Sequence, residues 1–458
     1  MRNRVGLVFA VLPAVAWCAG DAALAARARE YLAGLVRIDS TNPPGNETRV
    51  AQYLKGIADA EGIPCQLLGG DPARLNFVAR LAGTGEARPL LLMAHSDVVP
   101  ADPAQWSVDP FSAEIRDGFL YGRGAEDDKG LLAAEMAVLV ELKRRGVRLR
   151  RDVIVLAEAD EEAGSTGMQW LIENAWSSID AEFALNEGGF VMESASGQRV
   201  FHIQTAEKIP SRVVVTARGT AGHGSLPRPD NPVVRLARAI TRLADADQPV
   251  RLNTTTRRFL KQISQLPEYH WLIPLLPRLE NPDSAVAAAN QIRRRDAEID
   301  ALLRTTVSPT MLQAGAKINV IPNIAQAQVD VRRLPDETRA EVMARLRRAV
   351  NDPAIEITPA PGQEMPPTEP SGAGTALYRA METVFGRAYP HSLVVPYMIR
   401  GATDGSFLRR KGMDVYGAPV FLRESGSSRA HGNDERLSLD NLAAGAGLLW
   451  DVVLRACL

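Results

Sequence analysis

Apolar residues divide this chain into alternating strand-like and helical segments. The runs "PLLLMAH" and "DVIVLAEAD" are short, unbroken and end in polar residues, which is typical of strands buried in an α/β sheet. Helical spacing appears in "LAARAREYLAGLVRI", "TRVAQYLKGIADAEG" and "GLLAAEMAVLVELKRRG", the last of which ends at Gly146. This alternation predicts an α/β fold with a mostly parallel sheet and helices on both faces. In such sheets, functional sites collect at the carboxyl ends of the strands.

A different pattern begins near residue 209. The segments "SRVVVTARG" and "AKINVIPNIAQAQVDVRRLP" alternate apolar and polar residues, as half-exposed antiparallel strands do. We therefore predict a main domain of residues 26–208 and 363–458, interrupted by a smaller α+β domain of residues 209–362. The helical segment "RRFLKQISQLPEYHWLIPLLPRLE" is assigned to this insertion, and "PAPGQEMPPTEP" to a proline-rich linker that returns to the main domain.

The first residues have the pattern of a secretory signal peptide. Arg2 and Arg4 precede the apolar run "VGLVFAVLPAVAWCAG", and an A-x-A-like motif follows at residues 23–25. We predict that residues 1–25 direct the protein to the periplasm or out of the cell. Because the run is shorter than a bilayer span and contains Pro13, an uncleaved membrane anchor is the less favoured alternative.

Length, charge and cysteine content narrow the possible classes of protein. The chain has 458 residues, too many for one ordinary hydrophobic core, so at least two domains are expected. Its formal net charge of −1 argues against nucleic acid as a main partner. Beyond the signal peptide only Cys65 and Cys457 remain, which is too few for a disulfide framework. The sequence does not decide whether these two cysteines pair.

Histidine and carboxylate residues follow several of the strand-like runs. His95 ends the run in "LLLMAHSDVVP", and Asp97 lies two residues later, on the same face of an extended chain, where it would orient a metal-bound histidine. By itself this H-x-D motif is more typical of a capped turn. Glu161 and Glu162 end another strand in "LAEADEEAGSTG", where the alternative is a charged helix N-terminus. Glu187 follows a further apolar run in "FALNEGGF".

Two other polar segments complete the candidate chemistry. The adjacent acids Glu126, Asp127 and Asp128 in "GRGAEDDKG" repel one another, so they either form a solvated turn or bind a cation. His431 lies in the polar segment "SSRAHGNDERL". Histidines and carboxylates without thiolates, at the strand ends of one sheet, are ligands that suit zinc, with manganese or cobalt as substitutes.

Seven motifs occur in order along the chain: "MAHSDVVP", "FLYGRGAEDDKG", "EADEEAGS", "LNEGG", "GTAGHGSLP", "NVIPN" and "RAHGNDER". Together they resemble the dinuclear zinc aminoacylase/carboxypeptidase family over residues 28–450, and lean toward its carboxypeptidase S and N-acyl-amino-acid hydrolase branch. The resemblance implies a zinc exopeptidase-like fold and hydrolysis of the amide bond of an N-acyl amino acid or short peptide with a free carboxylate. A desuccinylase, a deacetylase, a dipeptidase and a non-catalytic binding protein on this scaffold remain the alternatives.

Carried over to this sequence, the resemblance implies two zinc ions per chain. The implied ligands are His95 and Glu187 for one ion, Glu162 and His431 for the other, and Asp127 as the bridge between them. Asp97 would orient His95, and Glu161 would be the general base for the metal-bridging water. The four positive charges of two zinc ions would then be balanced by three ligand carboxylates and one hydroxide.

Of the three adjacent acids, the resemblance thus selects the middle one. Asp128 is expected to point away from the metals, because consecutive side chains in extended backbone diverge. Glu126 is expected to stay solvated. The resemblance also implies a cis peptide bond between Asp127 and Asp128.

The inserted domain would complete the site as a lid or dimerisation domain. The resemblance implies that His223 reaches the partner subunit's site and stabilises the oxyanion there, which would make the protein a homodimer. Some relatives are monomers in which an insertion replaces the partner, and the long 251–308 segment leaves that choice open. The expected contacts to the small-molecule substrate are Asn319, Arg332, Gly401 and Thr403. For Arg332, a structural ion pair is the alternative to a carboxylate clamp.

Overall fold

The computed structural model of the chain describes residues 19–361, 367–424 and 428–458. Residues 1–18, most of the predicted signal peptide, lie outside this described part. The first described helix begins at Ala19, within the predicted peptide, and it buries Leu24 in the main core. Among the described helices, none combines the length and apolar composition that a bilayer span requires.

The strands in the described residues are β1 (Cys65–Leu68), β2 (Asn76–Leu81), β3 (Leu90–His95), β4 (Ile115–Arg116), β5 (Phe119–Tyr121), β6 (Val153–Glu158), β7 (Phe183–Asn186), β8 (Phe190–Glu193), β9 (Arg199–Glu207), β10 (Ile209–Pro210), β11 (Val213–Arg218), β12 (Gly222–His223), β13 (Thr306–Ala314), β14 (Val320–Ile321), β15 (Ile324–Arg333), β16 (Ile355–Pro359), β17 (Leu393–Ile399), β18 (Asp414–Gly417) and β19 (Arg436–Ser438).

The helices are α1 (Ala19–Val36), α2 (Glu47–Ala60), α3 (Lys129–Arg144), α4 (Thr166–Asn174), α5 (Trp176–Ile179), α6 (Pro232–Asp245), α7 (Thr254–Ile263), α8 (Leu276–Glu280), α9 (Pro282–Arg295), α10 (Ala297–Leu303), α11 (Arg339–Val350), α12 (Ala376–Ala388), α13 (Gly405–Arg410) and α14 (Leu439–Cys457). Short 3-10 helices span Pro103–Gln105 and Pro267–Leu272.

The main sheet has nine strands in the order β1-β2-β6-β3-β7-β18-β9-β17, with β8 paired to β9. Its central pairs, β6–β3, β3–β7 and β7–β18, are parallel, whereas β1–β2 and β2–β6 are antiparallel. Helices α1, α3 and α14 cover one face, and α4, α5 and α13 cover the other. This confirms the predicted α/β class, because the unbroken apolar strands β3 and β6 are buried along their whole length.

A second sheet, which we call the lid sheet, has five strands: β13, β15, β11 and β16 side by side, with the short β10 beside the end of β15. All of its strand pairs are antiparallel, and α6 and α11 pack on one face of it. In sequence it lies between β9 and β17 of the main sheet. This is where the alternating pattern predicts an inserted α+β domain, although the domain boundaries themselves stay a prediction.

The helices that the sequence assigns to the inserted domain pack against the main sheet. Helices α7 to α10 bury their apolar residues against β8, β9 and β17, at the edge of the main sheet. Phe190 and Tyr397 of that edge pack edge-to-face, and both lie beside His202. The sequence assigns these helices to the insertion because of their position in the chain. That position does not indicate which apolar surface the helices cover.

The two cysteines of the described chain are both free. Cys65 is half-buried on β1, whereas Cys457 is buried at the end of α14. Burial raises the pKa of the Cys457 thiol to about 12, so this thiol is poorly reactive. Cys65 and Cys457, whose pairing the sequence leaves open, therefore form no disulfide in this structure.

Candidate metal centre and active-site cleft

His95 is oriented by Asp97, although through a different atom than the sequence suggested. His95 is the buried last residue of β3, and its Nδ1 lies 2.9 Å from the backbone carbonyl oxygen of Asp97. The Asp97 carboxylate is 3.6 Å from the same nitrogen, too far for a hydrogen bond. The orienting group is thus the Asp97 carbonyl rather than its predicted carboxylate. With Nδ1 donating to that carbonyl, Nε2 is directed at Asp127, as a metal-binding imidazole requires.

The Asp97 carboxylate instead fixes the turn that follows β6. It accepts hydrogen bonds from the backbone N–H groups of Glu161 at 3.2 Å and Glu162 at 3.1 Å. It also accepts one from Asn42 Nδ2 at 2.7 Å, and Asn42 donates a second to Asp160 at 2.9 Å. Asn42 carries no recognisable signal in the sequence, because its role depends on a contact between residues 55 positions apart.

Asp127 lies between the two histidines of the cluster. Its Oδ1 is 2.9 Å from His95 Nε2, and its Oδ2 is 3.2 Å from His431 Nε2. Burial opposes ionisation of this carboxyl group, but the hydrogen bonds from His431 and His95 hold its pKa well below the ordinary value. One oxygen facing each imidazole is the arrangement expected of a bridging ligand, as the sequence predicts for the middle acid.

Glu126 and Asp128, the acids on either side of Asp127, have different surroundings. Asp128 is buried next to α3, one of its carboxylate oxygens has no hydrogen-bond partner in the described structure, and burial raises its pKa well above the ordinary value. Glu126 accepts hydrogen bonds from Ser428 Oγ and the backbone N–H of Arg429. The expectation that Glu126 stays solvated is met only in part, because this half-buried carboxylate also anchors the segment that leads to His431. The peptide bond between Asp127 and Asp128 is cis, as the resemblance implies.

A residue that sequence analysis did not single out holds this acidic loop. Glu435 is fully buried and accepts hydrogen bonds from the backbone N–H groups of Gly124, Glu126 and Asp127 at 2.9–3.0 Å. Arg123 pairs with the same carboxylate at 2.6 Å. The only available signal was its position four residues after His431. The contact itself spans more than 300 residues of sequence and is not readable from either segment alone.

The remaining predicted ligands meet at the same point. His431 Nε2 lies 2.9 Å from Glu162 Oε1. Possible ligand atoms lie within 4.8 Å of one another in two groups, one of His95, Asp127 and Glu162, the other of His95, Glu161 and Glu187. The structure thus brings together all five predicted ligands and the predicted base. It also shows that Glu161 is near enough to act as a ligand itself.

The charges of the cluster fit divalent cations. Burial raises the pKa values of Glu161 and Glu187 well above those of ordinary carboxyl groups, and neighbouring carboxylates add to the effect. Hydrogen bonds that His431 donates to the Asp127 and Glu162 carboxylates raise the pKa of its imidazole to about 10. Several buried acids with two imidazoles and no thiolate form a donor set that suits zinc, manganese or cobalt. Bound cations would offset the mutual repulsion of these acids.

An open cleft of about 370 Å³ lies between this cluster and the lid sheet. Asp127, Glu161, Glu162, Glu187 and His431 line one side of it. The facing side contains Pro210, Ser211, Arg212, Arg332 and Arg339. Acidic residues of the candidate metal centre and basic residues beside the lid sheet therefore line one space, which is large enough for a small substrate.

Two predicted substrate contacts in the "GATDGSF" segment have different positions. Gly401 lines the cleft. Thr403 is buried behind it, where its backbone N–H and hydroxyl both donate to Glu207, at 2.9 and 2.8 Å. The expectation that Thr403 borders the substrate is thus not met in this structure. Its hydroxyl is used by Glu207, which also pairs with the buried Arg409 at 2.7 Å.

His223 and Asn319 lie together, away from the cleft of their own chain. His223 of β12 pairs with Val320 of β14, and Asn319 directly precedes β14. The Gly224 N–H donates to the Asn319 carbonyl at 2.8 Å. Neither residue lines the cleft described above. Exposed apolar side chains surround them, including Leu226 and Ile318.

Sequence comparison places the chain among known hydrolases. The sequence profile of peptidase family M20/M25/M40 matches residues 91–455. The human N-fatty-acyl-amino acid synthase/hydrolase is 28% identical over 376 residues, which are 81% of this chain and 74% of the relative. Mouse aminoacylase-1 is 25% identical over 92% of both chains. A probable carboxypeptidase S-like protein of Dictyostelium discoideum is 26% identical over 81% of this chain and 72% of its own.

Solved structures share the fold. A metallo-carboxypeptidase of the M20 family from Sulfolobus solfataricus superposes with a TM-score of 0.71 at 22% identity, covering 94% of this chain and 99% of that one. Human carnosine dipeptidase 1 superposes with a TM-score of 0.68 at 17% identity, covering 95% and 98%. At these identities the agreement concerns the fold alone.

Proposed function

The chain belongs to peptidase family M20/M25/M40, and from this premise we propose that it hydrolyses the amide bond of N-acyl amino acids with a free carboxylate. Short peptides are the second substrate class within the same chemistry. The observation that carries the proposal is the cleft in which the histidine and carboxylate cluster faces Arg332. The relatives named as an N-fatty-acyl-amino acid synthase/hydrolase and as aminoacylase-1 support the choice of substrate class.

The cluster is proposed to hold two divalent metal ions, zinc in the first instance, through His95, Asp127, Glu162, Glu187 and His431. Such ions, when bound, polarise a carbonyl oxygen and lower the pKa of a water molecule. Glu161 is proposed to accept a proton from the attacking water and pass it to the leaving amine. Its position supports this role, because Glu161 lines the cleft and lies beside His95 and Glu187.

A pair of arginines in the lid sheet is proposed to bind the substrate carboxylate. Arg332 and Arg212 both line the cleft, and their Nε atoms donate to the two oxygens of one residue, Asp330, at 3.0 and 3.2 Å. Within the described part of the chain, the terminal nitrogens of both guanidinium groups make no hydrogen bond to protein, which leaves them for a ligand. Asp330 is thus a positioning residue, and a bidentate contact to a carboxylate is the chemistry that arginine favours.

We expect Arg332→Gln to raise KM for an N-acyl amino acid roughly tenfold to a hundredfold, because a hydrogen bond to a charged group contributes about 1.5–3 kcal/mol. The value of kcat should change little, since the contact forms equally in the ground and transition states. Asp330→Asn should give a smaller rise in KM. Steady-state kinetics measure both values. Arg218→Gln, at an exposed arginine elsewhere in the lid sheet, is the matched control, and an equal effect there would remove the clamp from the proposal.

The proposed activity is tested directly by loading the purified chain with zinc and measuring amine release. The panel contains N-acetyl, N-succinyl and N-fatty-acyl amino acids, together with dipeptides. We expect hydrolysis of N-acyl amino acids that is lost when a chelator removes the metal, and lost when the substrate carboxylate is converted to an amide. Hydrolysis of dipeptides alone would replace the proposal with a peptidase, and binding without turnover would replace it with a binding protein.

We also infer that the protein forms a homodimer through the lid sheet. Strand β13 is an edge strand of this sheet, and within the described chain it pairs only with β15. Its exposed residues include Leu312 at 67% exposure, and the following turn exposes Ile318 completely. An apolar edge strand of this kind favours pairing with a second copy. In such a dimer His223 would be available to the partner's cleft rather than to its own.

Mixed dimers provide a sharp test of the role of His223. We expect His223→Ala and Glu161→Gln each to be nearly inactive as homodimers. When the two variants are unfolded and refolded together in equal amounts, half of the dimers would contain one chain of each variant. In each mixed dimer, one of the two sites would combine an intact Glu161 with an intact His223 from the other chain. About a quarter of wild-type activity should therefore return. Two variants refolded separately and then mixed are the control. A mixture that stays inactive, from chains that sediment as monomers, would exclude the dimer.

Residues 1–25 are proposed to export the protein to the periplasm or out of the cell. The support is their charged start, apolar run and small residues, which the sequence shows directly. N-terminal sequencing of the protein recovered from a cell fraction tests both the location and the cleavage position.

A further inference from the structure

The turn that carries Glu161 is closed around Asp160. This residue has a φ of 71°, in the left-handed region that few non-glycine residues occupy. Its backbone carbonyl accepts hydrogen bonds from the N–H groups of Gly164 and Ser165, and Ser165 has a φ of 54°. Glu161 and Glu162 therefore lie in a tight loop whose two ends meet at Asp160. The conformation of Asp160 determines where the backbone of both glutamates lies.

Both side-chain oxygens of Asp160 accept hydrogen bonds. Oδ1 accepts from Arg74 Nη2 at 2.7 Å and from Asn42 Nδ2 at 2.9 Å. Oδ2 accepts from the N–H of Thr166 at 3.2 Å and from the Thr166 hydroxyl. The side chain is only 3% exposed. Donors from three separate segments of the chain thus hold this carboxylate, and with it the uncommon backbone conformation of Asp160.

Arg74 is the charged member of these donors, and two acids share its guanidinium group. Its Nη2 lies 2.7 Å from Asp160 Oδ1 and 2.6 Å from Glu47 Oε1, while its Nε is 3.2 Å from both Glu47 oxygens. Glu47 is the fully buried first residue of α2. Neither Arg74 nor Glu47 lines the cleft. Within the described chain, Arg74 is therefore connected to the active site through Asp160.

The carboxylates of Glu161 and Glu162 are fixed in different ways. Glu162 Oε1 lies 2.9 Å from His431 Nε2, so this side chain has a partner of its own. The Glu161 carboxylate accepts no hydrogen bond from the described part of the chain, although the Glu161 N–H donates to Asp97 at 3.2 Å. The backbone of the turn thus sets the position of the Glu161 carboxylate. A small displacement of residues 160–162 would move Glu161 more than Glu162.

We propose that Arg74 is a positioning residue for Glu161: by holding Asp160, it keeps the Glu161 carboxylate within reach of the proton of the attacking water. This inference rests on the proposed function. A general base must lie within about 3 Å of the group that gives up the proton, and a displacement of about 1 Å caused by a remote substitution can lower turnover about 100-fold. Without Arg74, the buried carboxylates of Asp160 and Glu47 would lose their shared cation and repel each other, which would displace the turn.

The first experiment replaces Arg74 by Gln. We expect kcat to fall about 10–100-fold, as is typical when a partner behind a metal site is removed, with KM changed less than threefold and metal content near that of the wild-type chain. Arg74→Lys keeps the charge and should recover most of the lost activity.

Arg80→Gln is the matched control. Arg80 lies at the other end of β2 and pairs with Asp152, directly before β6, at 2.9 Å. Because β2 and β6 are antiparallel, Arg74 and Arg80 tie opposite ends of the same strand pair, and only Arg74 acts at the end that carries Glu161. Arg80→Gln should lower the temperature of unfolding about as much as Arg74→Gln and leave kcat within twofold of the wild-type value.

The second experiment determines whether the loss depends on Glu161. In a chain that already carries Glu161→Gln, no base remains to be positioned, so Arg74→Gln should lower the residual kcat less than twofold further. Losses that multiply in the double variant would overturn the proposal, because Arg74 would then act independently of Glu161. Loss of metal from Arg74→Gln would also overturn it in favour of an effect on the ligands, and a raised KM with unchanged kcat in favour of an effect on substrate binding.

Asp160→Asn keeps the proposal testable if Arg74→Gln does not fold. Asparagine adopts the left-handed region readily, but its amide has one acceptor oxygen and cannot serve the donors on both sides of the native carboxylate. We expect the same fall in kcat, and again no further loss in the Glu161→Gln background. A kcat within twofold of the wild-type value would exclude the connection through Asp160.

Hydrogen exchange, followed by mass spectrometry, separates a failure of this inference from a failure of the proposed function. The amides of Gly164, Ser165 and Thr166 are bonded to Asp160, so Arg74→Gln should speed their exchange at least tenfold and Arg80→Gln should not. If the wild-type chain hydrolyses no substrate of the panel but this difference is found, the proposed function fails, and the role of Arg74 in holding the turn is supported. Equal exchange in the two variants would overturn that role even in an active protein.

Discussion

Replacing Glu161 by Gln is expected to lower kcat by about 10²–10⁴-fold, the usual contribution of a general acid–base group. The metal content should stay near that of the wild-type chain. Glutamine preserves the shape of the side chain and its buried position but accepts no proton, so the attacking water and the leaving amine lose their proton carrier. The measurements are steady-state kinetics with a saturating N-acyl amino acid and metal analysis of the same protein by mass spectrometry.

The metal content of the variant distinguishes a general base at position 161 from a metal ligand. Glu161 lies close enough to His95 and Glu187 for its carboxylate to act as a ligand. If Glu161→Gln lost metal along with activity, Glu161 would be a ligand and the base would have to be sought elsewhere. Glu162→Gln, at the adjacent position, is the matched control. Its carboxylate lies 2.9 Å from His431 Nε2, so this variant should lose metal.

Replacing Asp127 by Asn should reduce bound metal to about one ion per chain or less and abolish turnover, since a bridging carboxylate is replaced by a group with one weaker oxygen ligand. The two oxygens of Asp127 face His95 and His431 separately, at 2.9 and 3.2 Å. An amide would therefore present an NH₂ group to one of the two positions. Metal analysis and thermal unfolding with and without added zinc measure the effect.

The adjacent Asp128→Asn is the matched control for this experiment. Asp128 is buried, and burial raises the pKa of its carboxyl group well above the ordinary value, so an uncharged amide resembles the form that burial favours. We expect bound metal close to the wild-type amount. Should Asp128→Asn lose more metal than Asp127→Asn, the bridging role would belong to Asp128.

Local pattern was enough to predict the main sheet and to group the histidine and carboxylate residues that the structure brings together. The strands β3, β6 and β7 are short apolar runs, and parallel pairing brings their carboxyl ends to the same sheet edge. His95 ends β3, Glu162 follows β6 by four residues, and Glu187 directly follows β7. This is why His95, Glu162 and Glu187 could be grouped without knowledge of any tertiary contact. The resemblance to the zinc aminoacylase/carboxypeptidase family then selected Asp127 from three chemically similar neighbours.

Local sequence patterns do not identify residues that act through long-range contacts. Asn42 and Glu435 resemble ordinary polar loop residues, and only their buried hydrogen bonds to Asp97 and to the acidic loop reveal what they do. Thr403 was misjudged for the same reason, because its partner Glu207 lies 196 residues earlier. The packing of α7 to α10 was missed because an apolar helix face does not specify the surface that it covers.

The hydrogen bonds of Glu435 have a consequence for how the protein is made. The acidic loop at residues 124–127 is synthesised early, but the carboxylate that holds its backbone and the histidine that completes the ligand set are added more than 300 residues later. The proposed metal site is therefore complete only once nearly the whole chain has been translated, since it needs both His431 and the carboxylate of Glu435.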